Sequence, residues 1–225
     1  MIKTFTRQFF IDKNDLATVG VNPYLILVPG YQLVLEGIQE GKRVREITTV
    51  LNKTKIVNGV KTRIVEERTI EEGRIAEISR NFFAISKTNN SVFYFGEDVD
   101  IFDRKGNVVS HEGSWRAGLK GARPGLIMPG IALVGARFFE EIAPGVALDK
   151  AEILSVTASV EVPVGKFQNV LKIRETTVLE PGVIDFKFFA RGVGLIRSNE
   201  LVLVKNRFVK FGIIKTPGSQ KRKVN

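Results

Sequence analysis

"TKIVNGVKTRIVEERTIEEGRIAEISRNFFAIS" (54–86) decides the fold class of this protein. It contains three runs rich in β-branched residues, separated by Asn58-Gly59 and Glu72-Gly73. Asn-Gly between such runs is a strong hairpin signal, because both turn residues accept positive φ. The stretch therefore predicts three consecutive antiparallel strands.

The same pattern extends in both directions along the chain. "YQLVLEGIQEGKRVREITTVL" (31–51) gives two more β-rich runs, and short alternating runs continue towards the C-terminus. No segment sustains a helical period over about 12 residues, so crossover helices are not expected. We predict an all-β fold, a single antiparallel meander of about twelve strands with little helix. Because so many strands rarely stay flat, the meander should curl into a barrel or a strongly bent open sheet.

The chain is expected to form one β-barrel-like domain over 1–206. Residues 207–225 then add a C-terminal extra strand and a basic flexible tail, "KTPGSQKRKVN" (215–225). A solvated chain end explains such a tail, and an electrostatic tether to an anionic partner is the alternative.

Composition excludes several classes of protein. The chain has 225 residues, no cysteine and a net charge of +10, so disulfides, thiolate metal sites and a thiol nucleophile are excluded. No apolar stretch approaches the ~20 residues that cross a bilayer, so no transmembrane segment is expected. The start of the chain does not resemble a signal peptide, which indicates a cytoplasmic protein or one whose leader was removed. The basic and aromatic residues do not share one sheet face, so no specific nucleic-acid partner is expected.

One segment interrupts the strand pattern. "AGLKGARPGLIMPGIALVG" (117–135) combines glycine, proline and large apolar residues, and it is longer than an ordinary connection between strands. It is either a lid over a barrel mouth, with Leu126, Ile127 and Met128 facing inward, or a strand-crossing loop that caps one end of the core.

"YFGEDVDIFDRKGNVVSHEGSW" (94–115) contains the one His and the one Trp of the chain. With a turn at 104–107, residues whose numbers sum to 211 face each other across a hairpin. Asp98, Asp100 and His111 then fall on the polar face, and we interpret Asp100 and His111 as a structural charge-assisted pair. Trp115 should lie across Gly96 on this face.

The opposite face of the hairpin holds the candidate catalytic residues. Phe93 and Phe95 predict that this face points inward, which also brings Glu97, Glu112 and Ser114 into the interior. Carboxyls enclosed in this way have raised pKa values, as a general acid or base requires.

Two alternatives remain open for Glu97 and Glu112. They form structural ion pairs with Arg116 or Arg137, or they are solvated if Gly96 creates a β-bulge.

Other chemistries find no support in the sequence. A single His without Cys disfavours zinc and copper, and the aspartates of 98–107 lack the spacing of a calcium-binding loop. Ser110 and Ser114 fall on the face opposite His111, which disfavours a hydroxyl-imidazole relay. "GVGLI" (192–196) lies between strands and is not a dinucleotide fingerprint. No cofactor and no metal are therefore expected.

Several blocks of the chain resemble a family of uncharacterised bacterial β-rich proteins, many of them exported. The blocks are "NPYLILVPGYQLVLEG" (22–37), "SRNFFAI" (79–85), "VFYFGEDVDIF" (92–102), "VVSHEGSW" (108–115), "FFEEIAPGVALDKAEI" (138–153) and "TTVLEPGVIDFKFFARGVGLI" (176–196). The resemblance implies a cell-envelope or secreted location but no particular activity. The architecture is similar, by analogy only, to the curved sheets of LolA-type lipoprotein carriers and to lipocalins. This chain departs from the family in lacking the leader and in its C-terminal addition.

Three functional hypotheses follow from the sequence. The first is binding of a small apolar or lipid-like ligand inside the barrel, with contacts from Phe93, Phe95, Ser114, Leu126 and Met128. The second is an enzyme that uses Glu97 and Glu112 as general acid and base on an enclosed substrate. The third is a structural envelope protein with a filled core.

Overall fold

The computed structural model describes residues 4–211 and shows an all-β protein. These residues contain one 3-10 turn, Lys13–Asp15, and strands that we number in chain order. The first half contains β1 (Leu16–Ala17), β2 (Gly20–Asn22), β3 (Leu25–Leu27), β4 (Tyr31–Gln39), β5 (Lys42–Val57), β6 (Val60–Glu71), β7 (Arg74–Ser86), β8 (Val92–Phe102), β9 (Val108–Ser110), β10 (Trp115–Arg116) and β11 (Gly125–Met128). The second half contains β12 (Arg137–Phe139), β13 (Asp149–Val162), β14 (Gly165–Thr177), β15 (Asp185–Ala190), β16 (Gly194–Ser198) and β17 (Leu201–Phe208).

Two antiparallel meanders share one sheet. The strand order is β10-β8-β7-β6-β5-β4-β17-β16-β15-β14-β13-β12, with β1, β9 and β11 attached beside this path. The pairing of β4 with β17 joins the two meanders, because it connects the start of the first to the end of the second. The predicted all-β antiparallel meander is confirmed. Of the two predicted shapes the structure shows the bent open sheet, since the path ends at β10 and β12 and does not close as a barrel.

The two ends of the sheet nevertheless approach each other. The Arg123 N–H donates to the Ile142 carbonyl at 2.8 Å, which links the segment after β10 to the segment after β12. Trp115 Nε1 donates to Glu141 Oε2 at 3.0 Å across the same gap. The sheet therefore curves far enough to enclose an interior.

The hairpin turns form where the sequence predicts them. Asn58 and Gly59 have φ values of 49° and 75°, and Glu72 and Gly73 have φ values of 49° and 79°. Two successive residues with positive φ match the twist of the flanking strands, so the turns favour tight antiparallel pairing. The long strands β5, β6 and β7 follow directly from these turns.

A separate hairpin made of β2 and β3 packs against one end of the sheet. The Asn22 side chain donates to the carbonyls of Asn90 and Pro129, at 2.9 Å each, and Gly192 N donates to the Pro23 carbonyl at 2.8 Å. These bonds attach the hairpin to both meanders, and its Tyr24 and Leu27 join the buried apolar core.

The chain end departs from the predicted domain boundary. Strand β17 continues through Arg207 and Phe208, beyond residue 206, and pairs there with Gln32 and Tyr31 of β4. Of the predicted tail, 212–225 lies outside the described residues. Between residues 4 and 211, no helix has the length and apolar character needed to cross a membrane.

Candidate functional site

Strand alternation places a row of carboxyls on the inner face of the first meander. In β5, Glu46 alternates with Val44, Thr48 and Val50, so all four side chains share one face. Directly paired residues share a face as well, and Thr48 pairs with Glu67 of β6. The remaining members of this row are Glu77 in β7 and Glu97 in β8, which pair with Thr69 and Asn81.

The second meander contributes the opposite wall. Lys187 of β15 pairs with Ile173 of β14, and Lys187 Nζ lies 2.6 Å from Glu175 Oε2. The charge of Lys187 also acts on Glu67 and Glu140, which shows that the two walls face each other across the interior. Glu140, Glu141 and Asp149 complete this carboxyl-rich interior.

Burial governs the protonation of these carboxyls. Burial, and then the charge of Glu67, raises the pKa of Glu46 to about 8. Burial also raises the pKa of Glu97 to about 8, although a hydrogen bond from Tyr94 opposes the rise. The pKa of Glu140 is raised well above its usual range by burial and by the charge of Glu175. A pKa of about 8 keeps Glu46 and Glu97 largely protonated at neutral pH, so they can donate as well as accept hydrogen bonds.

Lys187 behaves differently from the carboxyls around it. Burial lowers its pKa, but the charges of Glu175 and Glu140 outweigh burial and raise the pKa overall. Lys187 therefore stays charged. Its side chain keeps 32% of its surface accessible, and we attribute this to the internal cavity that it lines.

The main cavity lies between the two walls and has a volume of about 140 Å³. Most of its lining is apolar, and its polar side-chain groups are those of Thr48, Glu140, Glu175 and Lys187 together with the hydroxyls of Tyr24 and Tyr31. Glu140 is only 4% exposed. Within residues 4–211 its side chain has no hydrogen-bond or ion-pair partner, whereas Glu175 is paired with Lys187. The other lining residues are Leu25, Ile26, Leu33, Val50, Val65, Phe83, Ile127, Met128, Phe189, Val193, Gly194 and Leu195.

A second cavity of about 190 Å³ opens beside β8 and β10. Glu97, Ser114 and Trp115 line it, together with the turns around Lys120 and Pro144. The Trp115 indole also bonds Glu141, whose pKa is raised well above its usual range by burial and by the charge of Glu97. The second cavity therefore places the Glu97 carboxyl, whose pKa is raised, near the Ser114 hydroxyl and the Trp115 indole ring.

The structure separates the predicted site residues into three groups. Met128 lines the main cavity, while Glu97 and Ser114 line the second cavity. Phe93, Phe95 and Leu126 line neither of these two cavities, although Phe95 is almost fully buried.

Glu112 lies exposed in the turn that precedes β10, so the prediction that it lies inside the molecule is wrong. Its backbone N–H donates to the Ser110 hydroxyl oxygen at 3.0 Å, a local turn contact that leaves the carboxylate in solvent. A general acid and base pair of Glu97 with Glu112 cannot form inside this fold.

A β-bulge at Gly96 explains why Phe93 and Glu97 lie on opposite faces of the sheet. Asn81 pairs with Glu97 and Phe83 pairs with Tyr94, so β8 contains one residue more than β7 between these pairs. The extra residue moves Tyr94 onto the face of Glu97, and Phe93 moves to the other face. The prediction that Phe93 and Glu97 share a face is therefore wrong, and the bulge left open in the sequence interpretation is present. It does not leave Glu97 solvated.

The polar face of the hairpin agrees only in part with the sequence interpretation. Arg116 lies across Gly96 and Trp115 pairs with Glu97, so the prediction that Trp115 lies across Gly96 on this face is wrong. His111 Nδ1 lies 2.9 Å from Asp100 Oδ1, and Arg80 contacts the same carboxylate at 2.7 Å, so the predicted pairing of Asp100 with His111 is confirmed. Arg116 pairs with Asp98, and Arg137 pairs with Glu152. Neither arginine thus serves as the ion-pair partner foreseen for Glu97 or Glu112.

The irregular segment 117–135 contains a strand. Gly125 and Leu126 of β11 pair with Tyr94 and Phe93 of β8, and Ile127 and Met128 reach the main cavity. The segment forms part of the cavity wall in this way.

No family model, curated protein or solved structure matches this chain. The resemblance to bacterial exported proteins stays a prediction. Among residues 4–211, no cluster of three or more His, Cys, Asp or Glu side chains is arranged to hold a metal ion.

Sequence reasoning missed most of the interior carboxyls. The sequence does not distinguish Glu46, Glu67, Glu140, Glu175 and Lys187 from surface charges as plainly as it marks the dense acids of 94–115. A signal was present in β5, where every second residue from Val44 to Val50 gives Val, Glu, Thr and Val. A carboxyl between valines on one face of a strand indicates an acid in an apolar interior.

Proposed function

We propose that this protein binds a small, largely apolar molecule in the main cavity. The observation that carries the proposal is an apolar cavity that contains one buried carboxyl, Glu140, without a hydrogen-bond partner among the described residues. A few polar groups in an apolar cavity are typical of small-molecule sites, where they orient the ligand.

The volume limits the size of the ligand. A cavity of about 140 Å³ is close to the ~150 Å³ of an engineered protein cavity that takes up benzene. We therefore expect a buried group of about six to nine non-hydrogen atoms. A lipid-like molecule would place only one end of its chain in this space.

The test uses toluene as a probe and two tryptophan variants. Leu195→Trp fills the main cavity, and Val146→Trp, at the rim of the second cavity, is the matched control. We expect toluene to raise the melting temperature of the wild type and of Val146→Trp but not that of Leu195→Trp. Equal responses in all three proteins would contradict binding in the main cavity. Native mass spectrometry of the purified protein identifies any co-purified molecule.

A second candidate function rests on Glu97. Its pKa of about 8, its position in the second cavity and its neighbour Ser114 suit a general acid or base acting on an enclosed substrate. Under this alternative, Glu97→Gln abolishes turnover of a substrate found by activity screening, whereas Leu195→Trp leaves turnover intact. The opposite result would favour the main cavity.

The third hypothesis, a structural envelope protein, requires a filled core. Failure of toluene and of substrate screens to reveal any binding would favour it over both cavity-based functions.

A further inference from the structure

The chemistry of the main cavity also indicates which head group its ligand carries. The cavity contains the Glu175–Lys187 ion pair, and this pair already satisfies the one cation that the cavity lining presents. Glu140 stands beside the pair, 4% exposed and without a hydrogen bond of its own among residues 4–211. A ligand group in the cavity can therefore form a hydrogen bond with Glu140, whose carboxyl has no other partner among the described residues.

The charges around this carboxyl discriminate between head groups. The charges of Glu175, Glu141 and Asp149 raise the pKa of Glu140, and the charge of Lys187 lowers it. An anionic head group would disfavour ionisation of Glu140, so it could use this carboxyl only as a neutral donor. A neutral hydroxyl would gain one ordinary hydrogen bond, whereas an ammonium group would stabilise the carboxylate of Glu140 and gain a charge-assisted hydrogen bond.

We propose that the ligand is a small primary amine, whose ammonium group donates to the carboxyl of Glu140 while its apolar body packs against Leu33, Val65 and Phe83. This inference rests on the proposed binding function and specifies its ligand class. Thr48, which also lines the cavity, offers a hydroxyl that can accept from the same ammonium group.

Binding of an amine has a consequence for protons. Burial raises the pKa of Glu140 well above its usual range, and an ammonium group beside it favours the carboxylate. Binding of the charged amine therefore releases a proton from Glu140, so affinity rises with pH until the amine itself loses its charge. A neutral alcohol of the same shape releases none.

Three probes of one shape test the inference by calorimetry at pH 8: benzylamine, benzyl alcohol and benzoate. We expect benzylamine to bind about tenfold more tightly than benzyl alcohol, and benzoate not to bind measurably. Titrations in two buffers of different ionisation enthalpy should reveal proton release with benzylamine and none with benzyl alcohol.

Two variants locate the interaction. Glu140→Gln should reduce the affinity for benzylamine to that for benzyl alcohol and leave the alcohol within about twofold. Glu36→Gln, which changes an exposed carboxyl outside the main cavity lining, is the matched control and should leave both affinities unchanged. If Glu140→Gln fails to fold, the proton release of the wild type still decides the question.

The outcomes separate the two proposals. If benzyl alcohol or benzoate binds as tightly as benzylamine, or if no proton is released, the proposal of an amine ligand is wrong. The proposal that the main cavity binds a small apolar molecule is then unaffected. If neither toluene nor any of the three probes binds, both proposals fail.

Discussion

Glu66 and Glu67 are neighbours in β6, yet they occupy opposite faces of the sheet and different chemical environments. On the outer face, Glu66 contacts Arg68 at 2.7 Å and Arg80 at 3.4 Å. On the inner face, Glu67 has the Thr48 hydroxyl at 3.4 Å, and burial raises its pKa although Lys187 opposes the rise. The same residue type thus forms ion pairs on one face, whereas on the other face burial raises its pKa.

The comparison extends along both faces. Among the described residues, Asp98 contacts Lys55 and Arg116, and Glu152 contacts Arg137 and Arg174. Asp100 on the same outer face contacts Arg80 and His111. Within residues 4–211, the inner carboxyls outnumber the cation that faces them, Lys187. The outer carboxylates named above are paired, whereas most of the inner carboxyls are not, and the proposed ligand binding depends on this difference. Four experiments test this contrast between the two faces.

We expect the largest loss of stability from Gly96→Ala. This substitution tests the bulge that places Glu97 on the inner face. Gly96 has a φ of 133°, and an added Cβ would overlap the backbone oxygen of Trp115. We expect a loss of about 3 kcal/mol or more in the free energy of unfolding, measured by urea denaturation. Gly106→Ala is the control, since Gly106 has a positive φ but open space around it. Equal losses in the two variants would mean that the close approach at the bulge has no energetic importance.

Glu152→Ala tests the outer face. Glu152 is 5% exposed and lies between Arg137 and Arg174, which cannot shed their charge when it is removed. We expect a loss of about 2–4 kcal/mol that is nearly constant between pH 6 and 9. A loss that vanished within this range would contradict the interpretation of Glu152 as an ionic partner.

Glu46→Gln tests the inner face. We expect it to raise the free energy of unfolding, whereas Gly96→Ala and Glu152→Ala lower it. The folded protein holds the Glu46 proton up to about pH 8, whereas the unfolded chain releases it near the ordinary value of 4.5. Wild-type stability therefore falls as pH rises between these values.

Glutamine removes this dependence on pH. We expect Glu46→Gln to be more stable than the wild type by about 1–3 kcal/mol at pH 8, with no difference near pH 4. Glu36→Gln, which removes the exposed partner of Arg45, serves as the control and should not stabilise the protein at pH 8. Thermal melts across the pH range measure both variants.

Asp100→Asn should have the smallest effect. A hydrogen bond from Arg80 and further contacts lower the pKa of Asp100, so its contribution is present above pH 4 and is lost as pH falls through the lowered value. We expect a cost of about 0.5–1 kcal/mol at pH 7 that disappears in acid. A cost that persisted at pH 2 would show that the ion pair is not its origin.

Much of the fold could be predicted from the sequence because turn chemistry is local. Asn58-Gly59 and Glu72-Gly73 specify their own backbone, and the alternation of β5 to β7 follows from the turns between them. The position of Glu97 could not be derived in the same way, since a bulge of one residue reverses every face assignment beyond it. The exposure of Glu112 depends on a turn at 112–113 that shortens the second strand of the predicted hairpin. The cavity itself requires residues from both meanders, such as Thr48 and Lys187, and no local pattern indicates that they meet.

The junction of β4 with β17 has a consequence for the order of folding. Each meander is built from contacts between chain neighbours, whereas this junction joins residues about 170 positions apart, such as Leu35 and Leu203. Contacts of such long range form slowly, so we expect the two meanders to become ordered before they dock. During synthesis, one edge of β4 stays unpaired until β17 has left the ribosome, so this edge can pair with other strands in the meantime. Since the main cavity has walls from both meanders, the ligand proposed for it can bind only after the junction of β4 with β17 has formed.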